Sequence, residues 1–151
     1  MKIAIVLSEF NDDISKGLLT GAKACYDKVF KDNNLVVYKV PGAFEIPSTV
    51  KQLLKSNEGF DAIVTLGCVI KGETAHFEYI SSSVTDSISR LSIKAQIPII
   101  YGILTTYNYE QAIDRSDPLK KNKGGEVMEA AISTVKTYQN IQKSSWFFIE
   151  K

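Results

Sequence analysis

Four short runs rich in valine and isoleucine, at residues 3–7, 35–40, 62–69 and 97–104, recur along the chain with helix-spaced segments between them. The runs mostly do not alternate with polar residues, which is the pattern of strands buried on both faces. Strands of that kind need helices above and below. The alternation therefore specifies a layered α/β fold with a mainly parallel sheet of four strands. The intervening segments carry apolar stripes at helical spacing: Ile14, Leu18, Ala22, Cys25 and Val29; then Val50, Leu53 and Leu54 in a shorter helix begun near Pro47, a residue suited to a first turn. Ile80, Val84, Ile88 and Leu91 form a third stripe, with serines, Asp86 and Arg90 on the wet side. Met128, Ala131, Ile132, Val135 and Tyr138 define a last helix, begun through Lys123-Gly124-Gly125. No linker or repeat divides the 151 residues, a length that buries one substantial core, so a single domain is expected over 1–151.

Charge narrows the partners. Eighteen basic and seventeen acidic side chains leave a net charge of +1, which supplies neither a nucleic-acid footprint nor a membrane-binding block. Any anion must be gripped locally. The two cysteines, Cys25 and Cys68, stand far apart in apolar surroundings and read as buried free thiols of a reducing compartment. The apolar run after Lys2 is too short for a signal peptide, and the stretch 97–104 is broken by Pro98 and Gly102 and too short to span a bilayer. A cytoplasmic or otherwise internal protein is expected.

In open α/β sheets ligands bind beyond the carboxyl ends of the strands, where loops converge and helix amino ends point inward. Unusual residues follow all four runs. After the first comes Phe10, which either folds back onto the core or offers a plate on which a flat heterocycle stacks. After the second, Pro41-Gly42 makes a tight turn, and Glu45 at a helix start is either a capping group or an acceptor for polyol hydroxyls. After the third, a Gly72-containing turn with the Thr74 hydroxyl leads into a helix and forms a local phosphate site. His76, the only histidine, sits in that helix's first turn. It is either structural or a proton shuttle near neutral pH. After the fourth, Arg115 offers a planar fork suited to phosphate. Lys123 is oddly placed at a helix start, where the dipole disfavours a cation. It is either a ligand-facing lysine or part of a solvated basic turn.

Taken together, these segments resemble the lumazine synthase family. Its signatures stand here as Val40-Pro41-Gly42-Ala43-Phe44-Glu45-Ile46-Pro47, as residues 67–76, as Gly102-Ile103-Leu104-Thr105-Thr106, and as Glu110-Gln111-Ala112-Ile113-Asp114-Arg115 with Asn122-Lys123-Gly124, in family order. The resemblance implies a flavodoxin-like three-layer α/β/α sandwich. It implies condensation of 5-amino-6-(ribitylamino)uracil with 3,4-dihydroxy-2-butanone 4-phosphate to 6,7-dimethyl-8-ribityllumazine in riboflavin biosynthesis, with loss of phosphate and water, without metal or organic cofactor. Carried over by position, Phe10 stacks on the pyrimidine, the backbone of Ala43, Phe44, Val69 and Ile70 holds its polar edge, and Glu45 binds ribityl hydroxyls. Gly72, Glu73, Thr74 and Arg115 hold the phosphate, and His76 moves protons. Tyr101, Lys123 and Arg115 come from a neighbouring subunit. A homopentamer is the implied minimum, with a decamer or a shell of twelve pentamers as larger forms, and riboflavin synthase as a partner.

This chain departs from the family pattern at Glu9 and Lys71, where arginine is usual, at Tyr101, where phenylalanine is usual, and at Ala75, where threonine is frequent. Glu73 replaces a small uncharged residue, and a carboxylate beside a phosphate site is expected to point away. The near absence of an amino-terminal extension and the uninterrupted spacing from Arg115 to Lys123 point in opposite directions on shell formation. The segment 141–151, with Trp146-Phe147-Phe148, reads as a carboxyl-terminal extension whose aromatics pack on a neighbour or on the body. Two competing functions belong to other classes. A non-catalytic binder of flavin or lumazine needs neither His76 nor Arg115. A flavodoxin-like electron or signalling module needs a phosphate loop or acidic pocket after the first strand, which Ser8-Glu9-Phe10-Asn11-Asp12 does not supply.

Overall fold

The computed structural model describes residues 1–146, with side chains described as far as residue 143. The order is β1 (Ile3–Ser8), α1 (Asp12–Val29), β2 (Leu35–Val40), a 3-10 turn (Ala43–Glu45), α2 (Ile46–Lys55), β3 (Ala62–Ile70), α3 (His76–Lys94), β4 (Ile99–Thr106), α4 (Tyr109–Ser116) and α5 (Lys123–Trp146). The sheet runs β2-β1-β3-β4, and every neighbouring pair is parallel. This is the expected α/β/α sandwich.

Alternation along the central strands divides the core into two layers. Ile3, Ile5 and Leu7 of β1, with Val64, Leu66 and Cys68 of β3, meet Leu18, Ala22 and Tyr26 of α1 and Met128, Ala131 and Val135 of α5. Ala4, Val6 and Ile63 point the other way, onto Ile46 and Val50 of α2 and Val84 and Ile88 of α3. Apolar side chains on both faces explain why the sequence runs were continuous.

Close backbone approach also shapes the first layer. A Cβ on Gly124 would collide with the Leu18 carbonyl, and one on Gly102 would lie 3.0 Å from Val127 Cγ1, so α5 nests closely against α1 and β4 over glycine.

Several expectations are corrected. Val29 ends the α1 stripe 52% exposed, because Tyr26 takes its place in the core. Tyr138 is likewise 36% exposed, since α5 runs on past the sheet. The fourth strand begins at Ile99 rather than 97: Pro98 has no N–H for the ladder, though its carbonyl accepts from Ile63 N at 3.0 Å. Residues 109–116 form a helix that apolar periodicity did not announce, because only Ala112 and Ser116 of its eight residues are buried. Asn108 caps it, accepting from Gln111 N at 2.9 Å. The two thiols are free, but Cys25 is only half-buried. Residue 141 onward starts within α5, and the packing of Trp146-Phe147-Phe148 lies outside the described residues. Among the described residues no helix is long and apolar enough to cross a membrane.

Candidate active site

The chain moves from β1 outward to β2, then returns past β1 to β3, so the direction of winding reverses between β1 and β3. The loops leaving those two strands diverge onto opposite faces and leave a crevice at the strand carboxyl ends. A cavity of about 850 Å³ lies there. It is lined by residues after β1 (Phe10, Asn11), the turn after β2 (Gly42 to Glu45), the end of β3 and its turn (Cys68 to Gly72, Thr74), and the start of α3 (His76, Phe77, Ile80).

The β1–α1 loop is held open by backbone geometry. Asn11 adopts a left-handed conformation (φ 60°), which asparagine tolerates better than most residues. Its side-chain amide donates to the Cys68 carbonyl at 3.3 Å, tying this loop to the end of β3. Glu9 N and Phe10 N donate to the carbonyls of Val40 and Pro41, at 2.8 and 3.1 Å, continuing the β1–β2 ladder into the loops. Phe10 is consequently turned away from the core and 69% exposed on the cavity. Glu9 reaches Lys39 at 3.0 Å and does not line the cavity.

The turn after β2 brings the small residues Gly42 and Ala43 to the cavity wall and raises Phe44, 58% exposed. Glu45 precedes α2 without making a side-chain cap hydrogen bond, which leaves its carboxylate to line the cavity. After β3, Lys71 N donates to Thr106 O at 2.9 Å, and the chain then leaves the sheet through Gly72 to α3. Thr74 Oγ1 accepts from His76 N at 3.4 Å. The remaining first-turn amides of α3 have no intrahelical acceptor, and the helix dipole favours an anion there. His76, the first residue of α3, is exposed to the cavity.

Nine of the thirteen residues expected at the site, Phe10, Ala43, Phe44, Glu45, Val69, Ile70, Gly72, Thr74 and His76, thus meet around one space. Glu73 does not line it, although both its neighbours do. Tyr101, Arg115 and Lys123 do not line it either. Tyr101 hydroxyl meets Thr85 Oγ1 at 2.8 Å, Arg115 donates to Gln111 O at 3.0 Å, and Lys123 pairs with Glu126 at 2.7 Å. Sequence reasoning overlooked Asn11, Lys71 and Phe77 as wall residues. Asn11 carried a signal, an asparagine directly after a buried strand, whereas Phe77 was indistinguishable from a core aromatic.

Cys68 touches the cavity, but burial pushes its thiol up to about 11, opposed by a hydrogen bond with Thr106, so the reactive thiolate is scarce at neutral pH. Among the described residues there is no group of three histidine, cysteine or acidic side chains that could hold a metal ion.

The chain is thus a doubly wound parallel α/β sandwich with an aromatic-walled crevice and a helix start at its switch point. The family described as 6,7-dimethyl-8-ribityllumazine synthase matches residues 1–139, and the chain belongs to that family. The family is one of riboflavin biosynthesis, a transferase by activity.

Proposed function

We propose that this chain condenses 5-amino-6-(ribitylamino)uracil with 3,4-dihydroxy-2-butanone 4-phosphate, giving 6,7-dimethyl-8-ribityllumazine. The aromatic amine attacks the ketone and water leaves to form an imine. Elimination expels inorganic phosphate, and closure of the second ring expels a further water. The observation that carries the reading is the convergence on one cavity of Phe10, Glu45, the Gly72–Thr74 turn and His76, drawn from three separate loops.

Each group suits a part of that reaction. Phe10 presents a free ring face for the pyrimidine. The Ala43–Phe44 and Val69–Ile70 backbone supplies donors and acceptors to its edge, and the Glu45 carboxylate accepts from ribityl hydroxyls. Gly72 and Thr74 cradle the phosphate at the start of α3. His76 lies one step from that cradle, where it can take the proton lost in elimination and return it to the leaving oxygen. Orientation of two bound reactants supplies much of the acceleration, since imine formation from an aromatic amine needs little more. A cation completes the phosphate subsite by stabilising the departing charge.

Arg115, Lys123 and Tyr101 stand outside this cavity in their own chain and complete the cavity of a neighbour in a homopentamer, which is the assembly we propose. A decamer or a closed shell would repeat the same shared site. A cytoplasmic location, passage of product to riboflavin synthase and independence of metal and organic cofactor complete the reading. Mixing the two substrates with purified protein and following lumazine fluorescence tests it. Acceleration over the spontaneous reaction is expected; binding of the ring without acceleration would favour a non-catalytic lumazine or flavin carrier.

A further inference from the structure

In the reading proposed above the phosphate subsite takes Arg115 from a neighbouring chain, yet a cation of this chain, Lys71, lines the same cavity. Among the described residues that line the cavity Lys71 is the only lysine or arginine, and it directly precedes Gly72 and the Thr74 hydroxyl. Its backbone N–H donates to Thr106 O at 2.9 Å, which ties the residue to the end of the sheet.

Two groups hold the ammonium. Glu78 Oε1, in the first turn of α3, lies 3.5 Å away, and the Tyr107 ring centroid lies 5.8 Å away. Tyr107 itself packs on Phe77, another cavity-wall residue, with ring centroids 6.4 Å apart. The Lys71–Glu78 distance exceeds the 2.7–2.9 Å of a close charge-assisted bond, roughly speaking, and both side chains are about half exposed (46% and 53%). Such a pair is weakly held. A doubly charged phosphate in the adjoining turn offers the ammonium a stronger partner. The Tyr107 face keeps the cation within reach during the exchange. A lysine suits this better than arginine, because a point charge with rotatable donors can turn from one anion to another without matching a plane.

We propose that Lys71 is a phosphate-binding residue of the cavity, and that Glu78 is its internal competitor, holding the ammonium when no anion is bound. This rests on the phosphoester reading of the site but is tested apart from turnover. Isothermal titration of the full chain with inorganic phosphate, at fixed ionic strength, compares wild type with Lys71→Ala, Lys71→Arg and Glu78→Gln. Loss of one charged contact should weaken phosphate about tenfold in Lys71→Ala, while Lys71→Arg stays within about twofold. Glu78→Gln should tighten phosphate by roughly two- to threefold as the competitor is removed. Wild-type affinity in Lys71→Ala, or a wild type that binds no phosphate, would overturn the assignment. Unchanged affinity in Glu78→Gln would remove the competitor. Absent lumazine formation with an intact phosphate response would instead sink the substrate reading and leave Lys71 standing.

Discussion

The two ends of the sheet are built on opposite terms. At the amino ends of the strands, polar groups close on one another. Lys2 N donates to Asp61 at 2.7 Å, Lys2 Nζ reaches Glu58 at 2.9 Å, and the Tyr26 hydroxyl donates to Met1 O at 2.7 Å while meeting Asp32 at 2.9 Å. Tyr26 is buried, with its ring 4.9 Å from Phe30. At the carboxyl ends the aromatics stand in the open instead: Phe10 and Phe44 border a cavity rather than fill a core. Burying aromatic area stabilises a fold, and the uncovered rings of Phe10 and Phe44 leave that apolar surface free at the cavity. Polar pairing and burial close the amino end, while uncovered aromatic faces and the cavity lie at the carboxyl end.

Substitutions at the two ends should therefore separate turnover from stability. The largest effect on turnover is expected of Arg115→Ala, which should raise the apparent KM for the phosphate substrate by about 100-fold and leave that for the pyrimidine nearly unchanged. Equal effects on both substrates in steady-state kinetics would break the assignment. His76→Ala should lower kcat by roughly 10- to 100-fold while leaving some orientation-driven activity. Co-assembling His76→Ala with Arg115→Ala chains in equal amounts sharpens the point. If each site draws its imidazole and its guanidinium from different subunits, about a quarter of the sites should recover both. Recovery would not occur if both groups served a site within one chain. Phe10→Ala should raise KM for the pyrimidine by about fivefold with no change for the phosphate substrate.

At the closed end, Tyr26→Phe should leave turnover untouched, lower stability below about pH 10, and flatten the further loss at alkaline pH. Burial, and then the hydrogen bond with Asp32, push the Tyr26 phenol from its ordinary 10.0 up to about 12. A raised folded value means that the neutral phenol is favoured by the fold. Its contribution, on the order of 2 kcal/mol, is complete below the unfolded value and is lost as pH climbs from about 10 toward 12. Urea midpoints for wild type should fall across that window, and those of Tyr26→Phe should fall less. Parallel curves would show that Tyr26 is not the group responsible.

Much of the site was legible because it sits where strands end. Phe10, the 43–45 turn and the 72–76 turn each follow a run whose burial was plain from composition, and the rule that ligands gather at strand carboxyl ends then placed them near one another. Between the two readings open for Phe10, its exposure on the cavity excludes folding back onto the core. Lys71 was harder to see: it registered as a departure from a family arginine, and only its place in the cavity wall gives it a use. The helix 109–116 escaped periodicity because so little of it is buried. Val29 misled for the converse reason, being apolar at the right spacing but one turn beyond the sheet's cover.

By itself the sequence determined the layers, the parallel sheet and the family, because burial on both faces of a strand, helical spacing and ordered motifs are local properties of the chain. Only the tertiary structure decided which candidates share a space. That depends on strand order: insertion of β1 between β2 and β3 opens the crevice between two diverging loops and brings Phe10 and the 42–45 turn to the Gly72–His76 segment, while Arg115, Lys123 and Tyr101 remain on other surfaces. Strand order is set by how helices cross and pack, over contacts such as Gly124 against Leu18 that lie about a hundred residues apart in the chain and have no local signature.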